Sequence, residues 1–199
     1  DEIRVLLVDG DPRTVRHDDE LFYLEAALRP GDREDSGTEV RTITTEELAG
    51  IDPKARAHGA PAIDLGDFDV VVLANVTALP ADRVALLADW VRAGGGILIA
   101  PGDRVDAAAY DRTMLPILPQ GLADPIDTTW GATPGERASR ALHLVKWEAD
   151  HPIFAPFAKD APELADATFY KISLLGPTTN TTDRKVLARF TNGAAALVE

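Results

Sequence analysis

The sequence contains no cysteine, which removes disulfides, thiolate metal sites and thiol nucleophiles together. The absence leaves the compartment open, since domains inside and outside the cell can lack the residue. Long apolar runs are missing too. Nothing approaches the roughly 18–20 residues that span a bilayer as a helix, and no basic stretch followed by an apolar one opens the chain. Positive charge is scarce, with 20 Lys and Arg against 33 Asp and Glu for a net charge of −13. The cations are dispersed among acids, so no phosphate-binding patch forms and a nucleic-acid partner is excluded. The acidic surplus is read as solubility. Aromatics make up only 6% and are scattered rather than interleaved with cations, so no base-stacking platform is expected.

What remains is a chain of 199 residues with 45% hydrophobic side chains, enough to bury a core and suited to one domain. Residues 3–8 (IRVLLV) form a continuous apolar run, as in a strand covered on both faces. A helix is expected near residues 19–28, where Leu21, Leu24 and Leu28 share a stripe and Pro30-Gly31 stops it. Residues 39–43 make a second strand. Thr44 or Thr45 then caps a brief helix through Leu48, and residues 52–66 form a loop. Residues 68–74 form a third buried strand. Pro80 is expected at the first helical position, ahead of a face of Val84, Leu87, Ala88 and Val91. Gly94-Gly95-Gly96 ends that helix and turns the chain into a fourth strand at residues 97–100.

This alternation of strand and helix predicts an α/β fold: a mostly parallel sheet in a three-layer α/β/α sandwich. The parallel core is expected over residues 1–114. From 115 to 199 the chain turns irregular and β-rich, with prolines at 116, 119, 125 and 134. Runs at 141–147, 168–175, 185–190 and 194–198 are spaced for antiparallel pairing that extends one edge of the sheet. The chain opens directly on a strand, as a mature form or an excised domain would, and ends on one with no closing helix. The native polypeptide is therefore expected to continue past Glu199.

Candidate site residues sit where open α/β sheets place ligands, at the carboxyl ends of strands. Asp9 and Asp11 follow the first strand, and Asp103 and Arg104 follow the fourth. Asp9 and Asp11 are read first as Asx-type turn residues. Paired acids after a first strand also suggest a phosphate-receiver domain, but the third strand ends Val72-Leu73-Ala74-Asn75, without a phosphoacceptor. A hard cation held by Asp9, Asp11, Asp18 or Asp103 is the metal alternative; otherwise no cofactor is expected. Asp103 is expected to cap the next helix, with Asp106 in its first turn, while Arg104 would favour an anion there. Phe22 and Tyr23 could flank the loop over residues 9–18 as a small recognition surface, although core packing is the default. The four histidines lack the i, i+4 spacing of a helical zinc motif. His151, in Asp150-His151-Pro152, is read as turning the chain into a packed Ile153-Phe154.

Taken in order, LLVDGDPR, DELFYLEAALRPG, DFDVVVLANVTALPADRVALLADWVRAGGGILIAPGDRVD, DHPIFAPF and KVLARFTNGAAALVE resemble a known family. It is the class I glutamine amidotransferase-like domain of bacterial membrane proteins that carry a double-transmembrane N-terminus and often a von Willebrand factor A domain (the aerotolerance type). The resemblance covers nearly the whole chain and implies a flavodoxin-like sandwich. It also implies an extracytoplasmic place in the cell envelope, with anchoring helices elsewhere and partners among proteins or other domains of the same polypeptide. Catalytic members carry G-x-C-x-G after a strand; here the matching turn is Pro101-Gly102-Asp103-Arg104, so no catalytic residue carries over. The expectation is a non-catalytic binding or assembly module. The alternatives are a metal-assisted hydrolase using Asp9, Asp11 and Asp103, or a small-ligand sensor using the same crevice.

Overall fold

The first half of the chain forms four parallel strands. The computed structural model describes residues 2–15, 17, 19–29, 37–50, 63–157, 162–178 and 184–199. Much of the expected loop over 52–66, together with Asp18 and Pro30-Gly31, lies outside them. Two compact units divide the chain, Asp1–Ile117 and Leu118–Glu199.

In the first unit β1 (Ile3–Asp9), β2 (Thr38–Thr44), β3 (Val70–Ala74) and β4 (Gly96–Ala100) form one sheet in the order β2-β1-β3-β4. Every pairing is parallel. Leu6, Leu7 and Val8 of β1 are wholly buried, each adding about 1.5–3 kcal/mol of burial free energy. The strand's two sides serve different layers. Val5 and Leu7 pack with Val40, Val72 and Leu21, against Leu24 and Leu28 of α1 (Phe22–Leu28). Leu6, Val8, Val71 and Leu73, equally buried, face the other way by strand alternation. The chain steps from β1 to β2 in one direction and from β2 through β3 to β4 in the other. Right-handed crossovers therefore put α1 on one face and α3 (Ala81–Arg92) on the opposite one. This is the expected α/β architecture.

Side-chain caps account for two of the described α-helix starts. α2 (Thr45–Ala49) begins with a capping box: Thr44 Oγ1 accepts from the Glu47 amide at 3.3 Å, and Glu47 Oε2 accepts from the Thr44 amide at 2.7 Å. α3 buries Val84, Leu87 and Ala88 as its spacing predicts, with Pro80 one position earlier than expected, at the N-cap. The cap of α4 (Ala107–Thr113) corrects the sequence reading. Asp106, not Asp103, accepts from the Ala109 amide, at 2.6 Å. Tyr110 of α4 is fully buried, and its hydroxyl donates to the Val76 carbonyl at 2.5 Å. Burial pushes that phenol up to about 12.

In the second unit β5 (Leu122–Asp127) pairs with β7 (Lys171–Leu175), while β6 (Leu144–Trp147), β8 (Val186–Phe190) and β9 (Ala195–Val198) form a three-stranded sheet. All these pairings are antiparallel, as expected. They run among these strands alone; none is hydrogen-bonded to the edge strand β4 among the described residues. β5 is an element the sequence reading lacked. A ladder irregularity between Ala123 and Ile126 accommodates Pro125, which cannot donate to a partner. Leu142, Ile172 and Phe190 centre this unit's core, and Phe169 meets Phe190 edge-on with centroids 5.1 Å apart. A short helix, α5 (Pro162–Ala165), precedes β7. Phe154 packs beside Leu187 and Ala188 as expected, but Ile153 stays 48% exposed. His151 Nε2 lies 3.1 Å from Glu199 Oε2.

Candidate functional site

The order β2-β1-β3-β4 reverses direction between β1 and β3, and the carboxyl ends flanking that reversal are the ligand-binding position of open α/β sheets. Asp9, Asp11, Asp103 and Arg104 all come to this edge. Asp103 and Arg104 are tied down by Asn75, the residue after β3, which the sequence reading did not single out as a site residue, and Arg104 in turn reaches Asp11.

Asn75 is 1% exposed and has a left-handed backbone, φ 49°, a conformation asparagine tolerates better than most residues. Its amide nitrogen donates to Glu20 Oε1 at 2.8 Å and to Asp103 Oδ1 at 2.9 Å. Its Oδ1 accepts from the Arg104 backbone amide at 2.9 Å. The Asn75 and Gly10 amides in turn donate to the carbonyls of Ala100 and Ala74, both at 2.9 Å. Two glycines make room for this. A Cβ on Gly10 would lie 1.9 Å from the Asn75 carbonyl oxygen, and one on Gly102 would lie 2.3 Å from Asn75 Cγ.

The charged groups are interlocked in the same way. Asp9 Oδ1 accepts from the Asp11 amide at 2.9 Å, the Asx turn its sequence suggested. Asp11 pairs with Arg13, and its Oδ1 lies 3.6 Å from Arg104 Nη1. Arg104 also donates to the Gly10 carbonyl. Asp19 accepts from the amides of Leu21 at 2.9 Å and Arg13 at 3.3 Å, which fixes the turn ahead of α1.

Five carboxylates gathered at one edge shift two titrations. Burial first, then the charge of Asp19, its hydrogen-bonded carboxyl and the charge of Glu20, push Asp9 up to about 6, against the lowering effect of the Asp11 amide. Glu20 is also raised, by burial first and then by the charges of Asp103 and Asp11; the Asn75 amide and Arg13 oppose this. Beside Asp9 lies a cavity of about 70 Å³, lined by Asp19, Leu21, Phe22, Glu25 and Thr42. That is room for a few waters and far below the roughly 300–1,000 Å³ of a metabolite site. Phe22 thus reaches the loop as the sequence suggested, whereas Tyr23 is 69% exposed.

Among the described residues no group of three or more His, Asp or Glu is placed to hold a metal ion. Asp9, Asp11 and Asp103 instead bond to an amide, two guanidinium groups and a carboxamide. Compared with known protein families, with curated proteins and with solved structures, the chain finds no match. What the edge can do must come from its own chemistry. It offers no hydroxyl or thiol nucleophile on the turn after β4 and one carboxyl, Asp9, that exchanges its proton near pH 6.

Sequence reasoning reached the two turns but not their link. The available signal was Asn75 itself, a polar residue directly after a buried run, in a place suited to positive φ.

Proposed function

We propose that this chain is a non-catalytic, amidotransferase-like binding or assembly module of a membrane-anchored bacterial envelope protein. The observation that supports the reading is the engagement of the turn after β4. Where a catalytic relative would expose a nucleophile, the Asp103 carboxylate accepts from Asn75, the Arg104 amide donates to Asn75, and the Arg104 guanidinium is held by Gly10 and Asp11. A carboxylate held in place as an acceptor is not an acyl-forming nucleophile, and fold alone confers no activity. No helix among the described residues is long and apolar enough to cross a membrane, so the anchor in this reading belongs to other segments of the polypeptide.

Ammonia release from glutamine by the purified chain tests the reading. The expected rate is that of buffer, for the native sequence and Asp103→Ala alike. Asp103→Ala should instead lower unfolding free energy by about 1 kcal/mol, because the buried Asn75 carboxamide loses one acceptor, a carboxylate that is itself exposed. Steady turnover abolished by Asp103→Ala would overturn the proposal.

A further inference from the structure

The second unit contains a cavity that the preceding reading does not use. It measures about 380 Å³ and lies among the ends of the two small sheets, where β7 runs into Gly176 and the turn after β8 leads into β9. The volume falls within the roughly 300–1,000 Å³ range of small-molecule sites. Leu174, Val186 and Ala195 give it an apolar wall, and Arg184 and Arg189 give it two guanidinium groups. In a chain with 33 Asp and Glu, no carboxylate stands among its described lining residues.

Two buried polar atoms on residues of this lining lack hydrogen-bond partners: the Arg184 Nε and Gln120 Oε1. Gln120 is held in place because its Nε2 donates to the Gly176 carbonyl, which leaves Oε1 as an unanswered acceptor. Arg189 is steadied by Nη1 donating to the Gly193 carbonyl at 3.0 Å. An unmet donor and an unmet acceptor on two residues of one lining carry a desolvation cost that a matching ligand relieves. Guanidinium pairs with a carboxylate through two parallel bonds; the glutamine carbonyl needs an O–H or N–H donor close by.

We infer that this cavity binds a small organic carboxylate with a hydroxyl or amino donor next to the acid and an apolar body. The carboxylate meets Arg184 and Arg189, the donor reaches Gln120 Oε1 after a small rotation of these side chains, and the body lies against Leu174 and Val186. The site belongs to the second unit and shares no residue with the Asn75 cluster, so the glutamine experiment and this one fail independently.

Calorimetric titration of the full chain tests the assignment with three probes: 3-phenyllactate, 3-phenylpropionate, which lacks the hydroxyl, and inorganic phosphate. The expected order is 3-phenyllactate tightest, 3-phenylpropionate about fivefold or more weaker, and phosphate weaker still. Arg184→Gln and Arg189→Gln should each weaken 3-phenyllactate about tenfold. Arg184→Lys, which keeps the charge but not the planar fork, should fall between. Arg92→Gln in the first unit should change nothing. Urea midpoints matching the parent chain confirm that the variants are folded. No saturable 3-phenyllactate binding up to about 10 mM, a limit corresponding to only ~3 kcal/mol, would refute the inference. So would phosphate binding more tightly, or affinity unaltered in Arg184→Lys and both glutamine variants.

Discussion

Gly10 and Asn75 touch in a way that leaves no space for a methyl group. A Cβ at position 10 would meet the backbone of Asn75 and Val76, not the movable end of a side chain. Gly10→Ala is therefore expected to destabilise the chain by about 2–4 kcal/mol, read as a lowered urea midpoint at unchanged slope. Asp9 has the opposite problem, a charge that the fold disfavours. Its carboxyl titrates at about 6 in the folded chain against an ordinary 3.8. Between those values the folded chain holds more of the proton, so stability falls as pH rises and the loss is complete above pH 6. Asp9→Asn keeps an oxygen for the Asp11 amide while removing the charge. It should raise stability at pH 7.5 by on the order of 2 kcal/mol, change little below pH 4, and flatten the profile between. Glu20, also raised, adds a slope of the same sign. The carboxylates of exposed Asp69 and Glu136 and of half-buried Asp127 are lowered by hydrogen bonds from Arg4, Thr133 and Thr129 respectively. Their contributions are present above the ordinary carboxylate values and fade as pH falls below them.

At the scale of elements, α2 is only five residues long, too short to persist without its ends fixed. Thr44→Ala removes the hydroxyl that receives the Glu47 amide and should cost about 1 kcal/mol in thermal or chemical denaturation. Thr44→Ser, which retains the oxygen, should restore most of it. This helix was legible because its cap is written within four consecutive residues. β1 and β3 were legible for a similar reason, since the apolar runs at residues 5–8 and 70–74 mean burial on both faces. β5 was hidden because Pro125 argues against a strand unless a ladder irregularity excuses it, and that irregularity exists only once β7 is in place. The candidate edge was half legible. Asp9, Asp11, Asp103 and Arg104 could be located at strand ends, but the Asn75 bonds to Asp103 and Arg104 depend on the register that sets Asn75 beside Ala100 and Gly10 beside Ala74. No local pattern records that register. The same blindness put the cap of α4 on Asp103, which satisfies the sequence rule but is already bonded to Asn75.

For the whole molecule, the net charge of −13 sets a repulsive background at neutral pH. The Asp9 edge concentrates part of it. Raising ionic strength from about 0.05 to 0.5 M shortens the screening length from more than ten ångströms to about four. The melting temperature should therefore rise with sodium chloride at pH 7.5, and rise less at pH 5, where Asp9 carries its proton. A melting temperature that fell with salt at pH 7.5 would mean that specific ion pairs outweigh the general repulsion. Positions 10, 75 and 102 also constrain how such a chain can vary over generations. Gly10 is required by the backbone at 75–76 and Gly102 by the asparagine side chain, whose bonds are spent on residues 20, 103 and 104. A nucleophile arriving at position 103 would strand a buried donor before it gained a substrate. Any lineage acquiring chemistry at this turn has to pass through less stable sequences first, or change several distant codons together.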